Sequence, residues 1–335
     1  MAEGRILSRR YPGARNMRKS TGRFVAVGAI LAIAFVVFTP ARDVGAAGKN
    51  GFDLSNASIP VDQILQGGPP KDGIPAIDEP KFVSAGEADF LDEDARVLGI
   101  ERNGIAKAYP IAILNWHEIV NDRFADEGVV VSFCPLCGTG MAFHAEVGGG
   151  AARSFGVSGL LYNSDVLLYD RETESLWSQI AKRAVSGPLE GERLDMVVMS
   201  HTTWRDWRER HPNSVVLSDD TGYWRNYSRN PYQGYERSES LYFPVAAYGT
   251  GYHPKELVIG LEVGGEFRAY PFTELAKLNG PATEVVGGKR LTVEFDAENQ
   301  TGRVLNDQGE ELPTVIAFWF AWSAFHPDGG VFRAP

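Results

Sequence analysis

A fourteen-residue fragment occurs twice in the chain, and this repeat limits the possible folds more than any other feature. Residues 97–110 read VLGIERNGIAKAYP and residues 258–271 read VIGLEVGGEFRAYP, with seven identical positions. Average residue frequencies would give about one identity. Each copy predicts a strand, a tight Asn-Gly or Gly-Gly turn, a returning strand, and a proline that opens a helix. The sequence therefore predicts a β-rich α+β fold in which two related β-hairpin–helix–strand halves form one large domain.

The first 46 residues have the pattern of a targeting segment. Basic residues precede an apolar run of fifteen residues, 24–38, and small residues follow at 44–47. This order is typical of a signal peptide, and the run is short for a membrane span, which needs roughly 20 residues. We expect an exported, periplasmic or extracytoplasmic protein whose residues 1–46 are either cleaved or retained as a signal-anchor. The membrane would be engaged only through this segment.

The rest of the chain divides by composition. Residues 47–96 are rich in Gly, Pro and Asp and are predicted to be an irregular covering segment. Residues 97–335 are predicted to be the duplicated domain, with a first half at about 97–180, a connector at about 181–250 and a second half at about 251–335. The formal net charge of −10 makes nucleic acid a poor partner. A small molecule or a protein remains as the expected partner.

Both cysteines of the chain lie in one motif in the first half, Cys134-Pro135-Leu136-Cys137-Gly138. An apolar run, 129–133, leads into it and predicts a buried strand. Two thiols at this spacing can face one point, which suits a metal ion, a reversible disulfide or a static disulfide. A thioredoxin-type site is disfavoured, because it places the first cysteine at a helix N-terminus, and here a glycine turn and a strand pattern follow.

Two histidines could complete a metal site. His117 precedes the motif and His144 follows it, and both belong to neighbouring predicted elements. With Cys134 and Cys137 they would form a ligand set for zinc or copper, in which His117 ranks above His144. The alternative is structural: His117 shares a helix face with apolar residues, and His144 is an ordinary strand residue.

A polar and aromatic segment, residues 154–179, follows the motif. Interleaved polar and aromatic side chains of this kind often line a pocket. The candidate pocket residues are Tyr162, Asn163, Asp165, Asp170, Arg171 and Trp177. Alternatively, residues 170–173 form a hairpin turn, with Arg171 paired to a carboxylate and Trp177 in the core.

Several long motifs together resemble one family. They are Ala108-Tyr109-Pro110 with His117-Glu118, residues 132–143, residues 155–179, and residues 319–329. Over residues 55–330 this combination resembles the DUF3179 family of uncharacterised proteins. The resemblance implies an exported or membrane-anchored context and a single family domain. It implies no reaction.

The sequence leaves three hypotheses for function, and it does not decide whether the protein is an enzyme. The first is an exported metal-binding protein in which Cys134 and Cys137 are thiolate ligands beside a polar pocket. The second is a thiol–disulfide redox protein in which one cysteine attacks and the other resolves. The third is a non-enzymatic binding or structural domain whose two cysteines only hold a turn.

Overall fold

Four β-sheets and four short α-helices form residues 48–335, the part of the chain that the computed structural model describes. The predicted β-rich α+β class is confirmed. The helices are α1 (Ile111–His117), α2 (Trp204–Arg210), α3 (Phe272–Leu275) and α4 (Trp319–Phe325). Single turns of 3-10 helix occur at Val61–Gln63, Ala85–Glu87 and Tyr235–Arg237.

The predicted targeting segment, with its apolar run at 24–38, lies outside the described residues. Within residues 48–335, the structure contains no helix with the length and apolar character that a membrane crossing requires. The segment predicted to be irregular contributes two short strands, β1 (Ile64–Gln66) and β2 (Phe82–Ser84).

The first repeated fragment forms the centre of a five-stranded sheet. The strands in spatial order are β12 (Ser200–Thr203), β3 (Arg96–Arg102), β4 (Ile105–Pro110), β13 (Val215–Leu217) and β2. The hairpin β3–β4 pairs antiparallel with β12 on one side and parallel with β13 on the other. Helix α1 follows β4 directly, and α2 connects β12 to β13.

The second repeated fragment lies in a seven-stranded sheet. The strands in spatial order are β21 (Gly330–Val331), β15 (Glu266–Pro271), β14 (Leu257–Val263), β20 (Val315–Phe318), β7 (Thr139–His144), β6 (Glu127–Cys134) and β5 (Ile119–Phe124). The hairpin β14–β15 pairs antiparallel with β20 and parallel with β21. Helix α3 follows β15, and α4 connects β20 to β21. In both sheets, the first strand of the repeated hairpin therefore has an antiparallel neighbour and the second strand has a parallel neighbour.

A close contact between glycine and tryptophan occurs at each of these two hairpins. A Cβ atom added to Gly99 would lie 2.2 Å from Cε3 of Trp207, and one added to Gly260 would lie 2.3 Å from Cε3 of Trp322. Each tryptophan belongs to the helix that follows the antiparallel neighbour of the hairpin, which is β12 for Trp207 and β20 for Trp322. The indole can pack directly on the strand backbone only because the strand has no side chain at that point.

Two further sheets complete the described part of the chain. One contains, in spatial order, β1, β8 (Phe155–Tyr162), β9 (Asp165–Asp170), β10 (Leu176–Ser178) and β11 (Arg183–Ser186). The other contains β16 (Ala282–Val286), β17 (Lys289–Asp296), β18 (Thr301–Leu305) and β19 (Glu311–Leu312). The turn from β8 to β9 and the turn from β6 to β7 together form the candidate site.

Candidate metal centre

The two cysteines lie on the turn between β6 and β7. Cys134 is the last residue of β6, and the amide of Cys137 donates to the carbonyl of Cys134 at 3.2 Å. Gly138 completes the turn at φ 60°, and a Cβ atom there would lie 2.8 Å from the ring of Phe318. Glycine is therefore required for both the conformation and the space. The turn brings both side chains to the same side.

The two thiols are buried and converge on one point. The exposed fractions of Cys134 and Cys137 are 1% and 0%. Both S–H groups donate to the carbonyl oxygen of Ser164, over 3.7 Å from Cys134 and 3.3 Å from Cys137. Ser164 belongs to a different hairpin, so two separate turns meet here.

A carboxylate from this second turn completes the group. Asn163 and Ser164 have φ values of 49° and 64°, which is the left-handed conformation that a two-residue type I′ hairpin turn requires. Asp165 follows them. One of its carboxylate oxygens lies within 4.8 Å of both sulfur atoms, which are also within that distance of each other. The three side chains are the one such group of possible metal ligands among the described residues.

The turn that carries Asp165 is fixed by the segment that crosses over it. The Ser164 hydroxyl donates to the carbonyl of Phe243 at 2.8 Å, and the Asn163 side-chain oxygen accepts from the amide of Ala246 at 3.0 Å. Left-handed conformations are uncommon for residues other than glycine, and they persist where the surroundings hold them. These bonds hold Asp165 against the cysteines.

The carboxylate of Asp165 is only half satisfied. Its Oδ2 accepts from the amide of Ile180 at 3.0 Å, whereas its buried Oδ1 has no hydrogen-bond partner among the described residues. Burial raises the pKa of Asp165 to about 8. A buried acceptor without a donor is costly, and a bound cation would satisfy it.

Glu118 adds a second buried carboxyl next to this group. It ends helix α1 at φ 59°, and its amide donates to the carbonyl of Leu114 at 2.7 Å. Burial, followed by the charge of Asp165, raises the pKa of Glu118 to about 8. The sequence pattern after Pro110 predicts a helix over residues 111–121, but α1 ends at His117, because Glu118 takes the left-handed conformation and β5 begins at Ile119.

Burial also acts on the Cys137 thiol. It raises the pKa of Cys137 well above its usual range, and the neighbouring Cys134 adds to this effect. Because the charged forms of Cys137, Asp165 and Glu118 are disfavoured, these three groups hold protons near neutral pH when no metal is bound.

The two predicted histidine ligands lie elsewhere. Nδ1 of His117 is 2.8 Å from the carbonyl oxygen of Pro75, and its Nε2 is 2.7 Å from the hydroxyl of Tyr227. Nδ1 of His144 is 2.8 Å from the carboxylate of Glu127. The structure thus engages both ring nitrogens of His117 in other contacts, and it brings neither histidine into the cysteine group.

The six predicted pocket residues separate into three sets. Asp165 joins the cysteines. Tyr162 and Asn163 line a cavity of about 300 Å³ near His326. Asp170 accepts from Nε1 of Trp177 at 2.9 Å inside the core, and Arg171 pairs with Asp78 at 2.7 Å. The alternative interpretation of residues 170–177, a hairpin turn with Trp177 in the core, describes that part of the segment.

Sequence reasoning missed two features of the site. It treated Asp165 as a pocket residue and did not pair it with the cysteines, although the Asn-Ser dipeptide before it was a turn signal. It also gave no separate role to Glu118. Asp165 reaches the cysteines only because turns from two different sheets meet.

A family model covers most of the chain. The family model described as "Protein of unknown function (DUF3179)" matches residues 71–309. The chain belongs to this family, which confirms the resemblance seen in its motifs. No curated protein and no solved structure matches the chain.

Proposed function

We propose that the protein binds one metal ion through Cys134, Cys137 and Asp165. The observation that carries this proposal is the convergence of two sulfur atoms and one carboxylate oxygen within 4.8 Å in a buried position. Zinc fits this set best, because two thiolates and a carboxylate are common zinc ligands. Copper(I) prefers sulfur ligands alone. Three protein ligands leave one tetrahedral position for water or another group.

The charges at the site support the binding of a cation. Asp165 and Glu118 form no ion pair with a basic side chain among residues 48–335, and Oδ1 of Asp165 has no donor. Burial raises the pKa of both carboxyls, and for Glu118 the charge of Asp165 adds to the effect. A divalent cation would replace the protons and stabilise the anionic forms.

Thiol–disulfide exchange is less well supported. Exchange requires an accessible thiolate, whereas both sulfur atoms are buried and the pKa of Cys137 is raised. Burial has a further consequence for experiments, since slow alkylation of the thiols would not by itself indicate a bound metal.

Zinc binding is expected to release about two protons per ion near pH 7, because the Cys137 thiol and the Asp165 carboxyl are protonated before binding. The measurement is a zinc titration of the metal-free protein in weak buffer with a pH indicator. The Cys134→Ser/Cys137→Ser variant should release none. Release of fewer than one proton by the unmodified protein would contradict the proposed ligand set.

We also propose that the two halves of the domain are related by internal duplication. The equal strand directions around both hairpins and the two glycine–tryptophan contacts support it. A second repeat also supports it, since Trp-x2-Trp-x3-His-Pro occurs at residues 204–212 and 319–327. The turn 296–300 in the second half lacks cysteine, so metal binding would belong to the first half alone.

Export is a further part of the proposal. It is supported by the basic residues and the apolar run 24–38 at the start of the chain. An extracytoplasmic protein would meet its metal ion and its small-molecule or protein partner outside the cytoplasm.

A further inference from the structure

A cavity of about 820 Å³ lies between helix α1 and the segment 224–232. Two elements supply most of its walls. The side chains that matter for its chemistry are Asn115, Trp116, Trp224, Arg225, Asn226 and Arg229. Metal binding makes no use of this cavity. Its volume is within the range of small-molecule sites, about 300–1,000 Å³.

The charge of this cavity is opposite to that of the whole protein. Arg225 and Arg229 are its two charged residues, and no carboxylate lines it, although the chain has a net charge of −10. Nη1 of Arg225 donates to the carbonyl of Trp224 at 3.1 Å. Neither guanidinium forms an ion pair within residues 48–335. Two unpaired arginines in one cavity favour an anion, which guanidinium groups bind with paired hydrogen bonds.

Two indole rings provide flat surfaces beside these charges. The side chain of Trp224 is 97% exposed, although a large apolar ring is usually covered. Nε1 of Trp116 donates to the carbonyl of Arg229 at 3.1 Å, so this ring also holds the backbone that carries the arginine. The cavity therefore combines positive charge with aromatic surface.

Side-chain amides add a third kind of contact. Asn115 and Asn226 line the same cavity. The Asn226 side-chain oxygen accepts from the amide and the hydroxyl of Ser228, which leaves its Nδ2 group to donate to a ligand. A purely aromatic acid would make no use of these amides. A ligand with several hydroxyl groups would satisfy them.

We propose that this cavity binds an acidic saccharide, that is, a sugar ring that carries a carboxylate. Arg225 and Arg229 would bind the carboxylate, the amides of Asn115 and Asn226 would bind hydroxyl groups, and an indole face would cover the apolar face of the ring. The site goes beyond the proposed metal binding and does not depend on it.

The test is calorimetric titration of the full chain with trigalacturonate and, as the matched ligand, its methyl ester. We expect trigalacturonate to bind and the uncharged ester to bind at least about tenfold more weakly, which corresponds to the loss of a charged hydrogen-bond pair. Added salt should weaken the binding of the acid and leave the binding of the ester unchanged.

Two variants locate the binding. Trp224→Ala and Arg229→Gln should each weaken trigalacturonate binding by about tenfold. Tyr242→Ala and Arg290→Gln are matched controls outside the cavity and should bind like the unmodified protein. Circular dichroism should show that all four variants are folded. The Cys134→Ser/Cys137→Ser variant should retain binding, which separates this inference from the metal proposal.

Four results would overturn the inference. One is the absence of binding heat with trigalacturonate at millimolar concentration. Another is equal affinity for the acid and its ester. The third is unchanged affinity in both Trp224→Ala and Arg229→Gln. The fourth is binding of 2-naphthoate at Arg229 without binding of the saccharide, which would assign the cavity to aromatic acids.

Discussion

Zinc is expected to stabilise the protein strongly at about pH 8 and only weakly at about pH 5. A ligand at a thousand times its Kd adds about 4 kcal/mol to the free energy of unfolding. Protons compete with zinc for Cys134, Cys137 and Asp165, so this gain shrinks as the pH falls. The unfolding free energy with and without zinc, measured in urea at both pH values, tests the expectation.

The metal-free protein should itself become less stable as the pH rises. The pKa of Asp165 and that of Glu118 are raised to about 8 in the folded state, from ordinary values of 3.8 and 4.5. Between about pH 4.5 and 8 the unfolded chain therefore binds fewer protons than the folded chain. Stability from these groups is fully present below the ordinary values and is lost towards pH 8, by about 1.4 kcal/mol per pH unit for each carboxyl that stays protonated.

A non-ligand carboxyl provides the matched control. Glu118→Gln should reduce the pH dependence of the metal-free protein, with the contribution of Asp165 remaining, and should still permit zinc to stabilise it, because Glu118 is outside the three-ligand group. Cys134→Ser/Cys137→Ser should lose the zinc effect at every pH. Zinc stabilisation that is equal at the two pH values would argue against buried, protonated ligands.

Gly99→Ala and Gly260→Ala are each expected to destabilise the protein by about 3 kcal/mol, because overpacking of a fixed core costs this much at its upper range. The added methyl groups would lie 2.2 Å from Trp207 and 2.3 Å from Trp322. Both indoles are buried, so neither ring can move aside without opening the core. Thermal or urea unfolding measures the loss.

Gly86→Ala is the control for this pair, since nothing lies within 4 Å of a Cβ atom at that position and its φ is not positive. It should change stability by less than about 0.5 kcal/mol. Similar losses at Gly99 and Gly260 would agree with the proposed relation between the two halves. A negligible effect at either glycine would contradict the packing described for that hairpin.

Local patterns in the sequence were sufficient to predict the repeated hairpins. Strand alternation, the Asn103-Gly104 turn and Pro110 predicted β3, β4 and the start of α1, because each depends on neighbouring residues. The predicted end of α1, at residue 121, was wrong, since the helix ends at His117. The left-handed conformation of Glu118 reflects tertiary contacts that no local pattern records.

The candidate site shows the same limit. The strand that ends at Cys134 was predicted, and so was the convergence of the two thiols, which follows from their spacing. The contact with Asp165 joins turns from two different sheets, and sequence distance gives no measure of it. His117 appeared close enough to reach the cysteines, but its ring contacts Pro75 and Tyr227.

The most direct test is the metal content of the full chain, purified without chelator from an exporting host and measured by elemental analysis. Asp165→Asn, Cys134→Ser/Cys137→Ser and His144→Ala should be measured in parallel. We expect about one zinc per chain in the unmodified protein and in His144→Ala, less in Asp165→Asn and none in the double cysteine variant. No metal in the unmodified protein, or the same amount in the double cysteine variant, would contradict the proposed metal site.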